Sequence, residues 1–333
     1  MKRRLCVGLP LLALAACAGA QTALTQPTRM RRLAVLNAGP QTFRQTELSR
    51  YFVELLRQGG HELGRNLVAD ARYAEGEIAR LPALADELVA GQPDVIVAFG
   101  NEAVAAAQRA TTRIPVVMGF CADPVSAGFV RSLARPGGNI TGAAWVTAEI
   151  AGKTLAVLKE AVPRARRVAA LFAAADPALR PYREALGLAA TALGITLVPV
   201  ALEQPADVLP ALERLAAALP HSLPDALYVT SGGVTETRIS EIVEFALRHK
   251  LPALGISPSL VRAGGLLYYG PDVREVIERT ASFVNRILHG AAPAELPVEQ
   301  PTRFKFIVNQ KAAKAMGLVL PQALLLRADE VIE

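Results

Sequence analysis

The sequence predicts an α/β protein made of two doubly wound, parallel-sheet lobes. Three observations predict it. Short apolar, β-rich runs alternate with amphipathic helical runs, which is the pattern of βαβ units on a parallel sheet. The alternation restarts near residue 167, as a second lobe would require. The chain has 333 residues, too many for one ordinary core and suited to two of roughly 100–150 residues each. Hydrophobic residues make up 52% and charged residues 20%, so two cores can be filled and disorder is excluded.

In the first series, residues 32–37 read as a strand and 45–58 as a helix that Gly59-Gly60 stops. A strand over 66–73 and a helix over 78–90 follow. Residues 93–99 are nearly continuously apolar, the mark of a strand covered on both faces. A helix begins at Glu102, strand 114–120 comes next, and the turn Arg135-Pro136-Gly137-Gly138 leads into strand 139–145. The second series pairs strand 167–172 with helix 178–193, strand 195–200 with helix 206–219, and strand 225–230 with helix 235–249. Strands 251–256 and 265–269, a helix over 273–289, a proline-rich connection over 290–301 and a strand over 304–309 complete it, with a short helix ending at Gly317. The segment 145–153 is the natural first crossing between the lobes, and Trp145 reads there as a packing residue.

The first residues read as an export signal spanning 1–20: basic Lys2-Arg3-Arg4, then an apolar run over 5–16. That run is shorter than the roughly 20 residues that span a bilayer. Two cleavage readings compete. Leu14-Ala15-Ala16-Cys17 resembles a lipobox, which would make Cys17 a lipidated N-terminus; Ala18-Gly19-Ala20 before Gln21 resembles an ordinary cleavage site. Only Cys121 remains in the body, so no internal disulfide can form, and it reads as a buried small residue. The formal charge of +6 carries no long Lys/Arg block, which argues against nucleic acid as a partner.

Ligands of open parallel sheets sit beyond the carboxyl ends of the strands. The residues placed there are the candidates: Asn37, Gly100, Asn101, Phe120 and Asp123 in the first lobe, and Ser231, Gly232, Ser257, Tyr269 and Asp272 in the second. Gly100-Asn101-Glu102 joins a buried strand directly to a helix, whose first N–H groups and positive dipole end suit a carboxylate. Asn101 is placed either to cap that helix or to touch a ligand. Ser231-Gly232-Gly233 lets ligand atoms approach the backbone. Asp123, Asp176 and Asp272 each stand beside a proline and could meet an ammonium group or serve a turn or cap. Phe120, Tyr268 and Tyr269 could wall an apolar side. The four histidines are scattered, and no zinc, nucleophile-elbow, P-loop or dinucleotide motif occurs, so no enzyme, metal or cofactor is expected.

Three segments now identify a relationship: Ala134-Arg135-Pro136-Gly137-Gly138-Asn139-Ile140-Thr141-Gly142, Tyr269-Gly270-Pro271-Asp272, and Leu296-Pro297-Val298-Glu299-Gln300-Pro301-Thr302-Arg303-Phe304. With the ending 324–333, they resemble the ABC-transporter substrate-binding family that includes tryptophan- and aromatic-amino-acid-binding lipoproteins. The resemblance implies a periplasmic-binding-protein type I fold with a hinge and about three lobe crossings. Lobe one would hold 31–147 and about 271–290; lobe two would hold 148–270 and about 295–333. It also implies a monomeric, periplasmic or lipid-anchored protein that binds an amino-acid-like or carboxylate solute without turning it over. Its partners would be a permease and a cytoplasmic ATPase. A sensory subunit presenting its closed form to a receptor is the alternative, and an exported hydrolase a weaker one.

Overall fold

The computed structural model describes residues 29–145, 148–174, 179–217 and 224–333. The proposed export signal, Cys17 and Asp176 lie outside them. The first sheet has five strands: β1 (Arg31–Asn37), β2 (Leu67–Tyr73), β3 (Val95–Phe99), β4 (Val116–Cys121) and β5 (Ile140–Ala144), in the order β2-β1-β3-β4-β5 and parallel throughout. Every residue of β3 and of β5 is buried, because helices cover both faces. Helices α1 (Glu47–Gln58), α2 (Leu81–Ala90) and α3 (Asn101–Ala110) connect these strands. A short 3-10 turn, Gln41–Gln45, precedes α1, and Thr46 caps that helix by accepting from Ser49 N.

Helix α4 (Ala148–Ala161) begins the second lobe. Its sheet combines β6 (Arg167–Ala173), β7 (Thr196–Leu202), β8 (Ala226–Val229), β9 (Ala253–Gly255), β10 (Leu267–Pro271), β11 (Phe304–Asn309) and β12 (Glu330–Ile332). The order is β12-β11-β10-β9-β8-β6-β7. Its helices are α5 (Arg180–Ala192), α6 (Val208–Ala217), α7 (Gly233–Thr237), α8 (Ile239–Arg248), α9 (Pro258–Ala263), α11 (Gln310–Met316) and α12 (Gln322–Leu326). The fold is thus the two-lobed parallel α/β class read from the sequence, with one departure: β11 runs antiparallel to β10. It does so because the chain reaches β11 from the other lobe rather than through a helix crossover on the same sheet.

That detour is made by α10 (Val273–Leu288). Its Ile277, Phe283, Val284 and Leu288 pack with Phe52 and Leu56 of α1 and with Val95, Val97 and Val117 of the first sheet. The chain then runs back along β5: Glu299 N donates to Gly142 O (3.1 Å), and Ala144 N to Glu299 O (2.9 Å). Asp272 N donates to Arg303 O (2.8 Å), which ties the second and third crossings together.

Glu275 anchors this hinge. Its side chain, 5% exposed, accepts from Thr302 Oγ1, from Arg279 and from the backbone N–H groups of Thr302 and Arg303. Burial raises its carboxyl, but those donors outweigh burial and bring it down to about 2.

Local periodicity misread or passed over several places, among them the segment read only as the first crossing, 145–153, most of which belongs to helix α4. The helix read over 235–249 is two helices, because Arg238 leaves helical geometry between α7 and α8 (φ −114°, ψ 23°). The stretch between strands 251–256 and 265–269, given no element from the sequence, holds helix α9, which Ser257 caps through a bond from Ser259 N (3.2 Å).

Candidate ligand cleft between the lobes

A cavity of about 290 Å³ lies between the carboxyl ends of the two sheets. Its two walls differ in chemistry.

The first-lobe wall is aromatic. Phe43 enters from the 3-10 turn, Phe99 ends β3, and Phe120 stands near the end of β4. Ring centroids are 5.5 Å apart for Phe43–Phe99 and 5.4 Å for Phe99–Phe120. Trp145 extends the row, edge-on to Phe120 at 5.2 Å. Two backbone features make this wall. A Cβ on Gly119 would lie 2.5 Å from the Phe99 ring, so only glycine lets that ring lie there. Phe120 takes a left-handed conformation (φ 55°) within a register shift between Met118 and Cys121. A bulge of this kind re-aims a side chain at the end of a strand, and the strain marks a position the surroundings hold in place.

The second-lobe wall is polar. Ser231 follows β8, and Ser257 and Ser259 flank the start of α9. Their hydroxyls converge on Glu236 of α7, the Ser231 Oγ bond to Oε1 being long at 3.5 Å. Burial pushes the Glu236 carboxyl up, and the serine hydroxyls, which favour its ionised form, oppose that rise. Glu102 reaches toward the same wall from the first turn of α3: its Oε1 is 4.0 Å from where a Cβ on Gly232 would sit. Both acids line the cavity, and no Lys, Arg or His lines it among the described residues.

The lobes touch beside the cavity. A Cβ on Gly233 would lie 2.6 Å from Ala38 O, and one on Gly76 would lie 2.7 Å from Pro205 Cγ and 2.9 Å from Gly233 O. Glycine at both places lets the two backbones close on each other.

The family model for ABC transporter substrate-binding proteins matches residues 47–332. The chain belongs to that family. Its fold agrees with a solved domain protein from Vibrio cholerae, at a TM-score of 0.83 and 27% identity, over 91% of this chain and all of that one. A Streptococcus pneumonia ABC domain solved in complex with L-Trp superposes with a TM-score of 0.80 at 22% identity, over 91% of this chain and all of that one. A tyrosine-binding protein of Clostridioides difficile is 24% identical over 268 residues, 80% of this chain and 75% of that protein. Substrate-binding proteins of this family work outside the cytoplasm with an ABC permease. No helix among the described residues is long and apolar enough to cross a membrane. The family is a transport one, which leaves the sensory alternative without support.

In this binding protein Asn37, Gly100, Asn101, Phe120, Ser231, Gly232 and Ser257 all border the cleft. Several of the polar ones shape it through their own backbone. Asn37 Oδ1 accepts from Gly39 N (2.7 Å), and Asn101 Oδ1 accepts from Ala122 N (2.8 Å), holding the end of β4 to α3. Gly100 (φ 94°) makes the turn into α3. Three candidates stand away from the cleft. Asp123 Oδ1 accepts from Ser126 N (3.0 Å) in a turn of its own. Asp272 caps α10 by accepting from Arg274 N (3.0 Å) and faces Lys305 at the hinge (3.9 Å). Tyr269, partly buried, packs on Phe306 (6.2 Å) against the core of lobe two. Short acids beside prolines prefer such local bonds.

Sequence reasoning missed Phe43, Phe99 and Glu236. Phe43 sits on an irregular turn without periodicity, and Phe99 reads as core at the end of an apolar strand. Glu236 lies in a helical stretch one turn past the loop. The signal that could have found it is Glu236 placed five residues after Ser231, with serines on both sides of the next strand-to-helix turn.

Proposed function

We propose that this binding protein captures a zwitterionic, amino-acid-like solute with an apolar side chain and presents it to an ABC permease. The observation that carries this is the lining of the cleft: the carboxyl groups of Glu102 and Glu236, one from each lobe, and no basic side chain among the described lining residues. Such a lining suits a positive group on the solute. An ammonium between Glu102 and Glu236 would touch both walls at once; burial raises the Glu236 carboxyl, the hydroxyls of Ser231, Ser257 and Ser259 oppose that rise, and the ammonium would favour the ionised form further. The solute's carboxylate would take backbone N–H groups at the start of α3. Its side chain would lie on Phe43, Phe99 and Phe120. Charge-assisted hydrogen bonds contribute about 1.5–3 kcal/mol each, so two or three with apolar burial reach the roughly −8 kcal/mol of micromolar binding.

Closure follows from the same geometry. Only a solute touching both walls favours the closed arrangement, because only then does its affinity differ between open and closed states. The names of the relatives, one a tyrosine-binding protein and one a domain holding L-Trp, support an aromatic amino acid as the solute class. The apolar run over 5–16 supports export with removal of residues 1–20, and Leu14-Ala15-Ala16-Cys17 supports a lipid anchor on Cys17 as the variant of it. The mass of the mature N-terminus distinguishes the two.

The test is mass spectrometry of the purified protein, native and then denatured, followed by a thermal-shift screen of amino acids. A ligand raises the melting temperature by mass action. An amino acid released intact, or a shift with aromatic or branched amino acids, supports the proposal. No shift with any of them removes the amino-acid assignment.

A further inference from the structure

Trp145 is the single tryptophan of the chain. It follows β5 where the chain leaves lobe one, lines the cleft, and is 4% exposed. Its backbone N–H is used, donating to Cys121 O (2.7 Å). Its indole Nε1–H is not: it is buried and meets no acceptor among the described residues. Leaving such a donor unpaired costs the fold the equivalent of about ten-fold or more in its equilibrium constant, and native proteins rarely tolerate that without a use.

Packing alone does not require the indole. The edge-on contact with Phe120 could be made by another ring, and a phenylalanine there would leave no orphan. An indole N–H is a donor only, carries no charge and cannot accept. In a cleft whose titratable lining side chains are both carboxylic acids, it is a donor for an oxygen that adds no cation to compete with the solute's ammonium.

We propose that the Trp145 indole N–H is a ligand-binding donor that gives its hydrogen bond to an acceptor oxygen of the bound solute and selects for solutes carrying one there. This rests on the amino-acid-like reading of the cleft. Two oxygens fit the chemistry: the solute's carboxylate and a hydroxyl on its ring. A site built around a buried donor discriminates against analogues that leave it unpaired.

The experiment uses the full mature protein and Trp145→Phe with four probes: L-phenylalanine, L-tyrosine, phenethylamine and tyramine. Calorimetry measures the eight affinities, and the melting temperature of ligand-free W145F checks folding. If the carboxylate is the acceptor, W145F binds the two amino acids about ten- to a hundred-fold more weakly and changes little toward the two amines. If the ring hydroxyl is the acceptor, L-tyrosine and tyramine weaken about three- to ten-fold and the other two do not. Equal weakening of every probe that binds, or no weakening, overturns the proposal and leaves Trp145 a packing residue. A second readout needs no variant. With indole-15N tryptophan the wild type gives one indole cross-peak, which should move downfield and exchange more slowly when a bound probe supplies the acceptor. Binding without that change contradicts the Trp145 assignment alone. Absence of binding by all four probes contradicts the amino-acid reading and takes this inference with it.

Discussion

The two walls of the cleft are built by different means and do different work. The first-lobe wall is three phenylalanine rings set by backbone: a glycine that makes room for Phe99 and a left-handed Phe120 at a bulge. The second-lobe wall is hydroxyls and a carboxylate set by hydrogen bonds at two helix starts. An aromatic wall supplies area and holds a solute weakly in many orientations. A polar wall supplies direction but is satisfied only at close range. A solute that engages only one wall leaves the lobes free to part, so under the proposed reading closure would depend on a solute with both an apolar and a cationic part.

The most damaging way to break the pair is at the hinge that sets their spacing. Glu275→Gln removes the carboxylate that holds Thr302, Arg279 and Arg303. A carboxyl held at about 2 against 4.5 in the unfolded chain corresponds to a loss of the order of 3 kcal/mol at neutral pH. The sign follows from the lowered value: the stabilisation is present above pH 4.5 and is lost as the pH falls toward 2. Thermal denaturation should therefore show a large gap between wild type and variant at pH 7 that closes below about pH 3.

Next is the polar wall. Glu236→Gln should weaken an ammonium-bearing solute by about 2–3 kcal/mol, read by calorimetry. Its raised carboxyl gives a second signature. Wild-type affinity should rise with pH through that carboxyl's titration, because the cationic solute binds its ionised form, and the variant should lack that slope. Without ligand the variant should be the more stable at alkaline pH, where the wild type carries a buried charge, and the advantage should disappear in acid.

On the aromatic wall, Phe120→Ala should cost about 1.5–2 kcal/mol of affinity from lost apolar contact, without changing the pH slope. That contrast sharpens the division: the phenylalanine rings carry no titrating group, and Glu236 does. Gly233→Ala places a methyl against Ala38 O across the interface and should weaken binding by about 1 kcal/mol. The ligand-free melting temperature should stay nearly unchanged, since the lobes can separate to relieve it. Smallest is Asp123→Asn, which stands away from the cleft and should leave affinity within about two-fold.

The sequence made the fold legible through Val95–Phe99, whose unbroken apolar run can only be a covered strand, and through the helix stops at Gly59-Gly60 and Gly317. The cleft was legible as far as strand ends could locate it: Asn37, Gly100 and Ser231 each follow a strand whose end was readable. Beyond that, chemistry depended on direction. Asp123, Asp272 and Tyr269 follow strands equally well, yet their side chains are spent on a turn, a cap and a core. Glu236 reaches the cleft because α7 begins at Gly233 and breaks at Arg238, a break no periodicity announced. Antiparallel β11 was hidden for a related reason, since the excursion of α10 to the other lobe is a long-range event that local pattern cannot show.

The central claim is that the cleft takes its positive charge from the solute. Calorimetry at neutral pH with L-phenylalanine and its deaminated analogue 3-phenylpropionate tests it most directly, since the pair differs only in the ammonium group. The account predicts binding of the amino acid and none of the deaminated acid at the same concentrations. Equal binding of both, or binding of the acid alone, would contradict it.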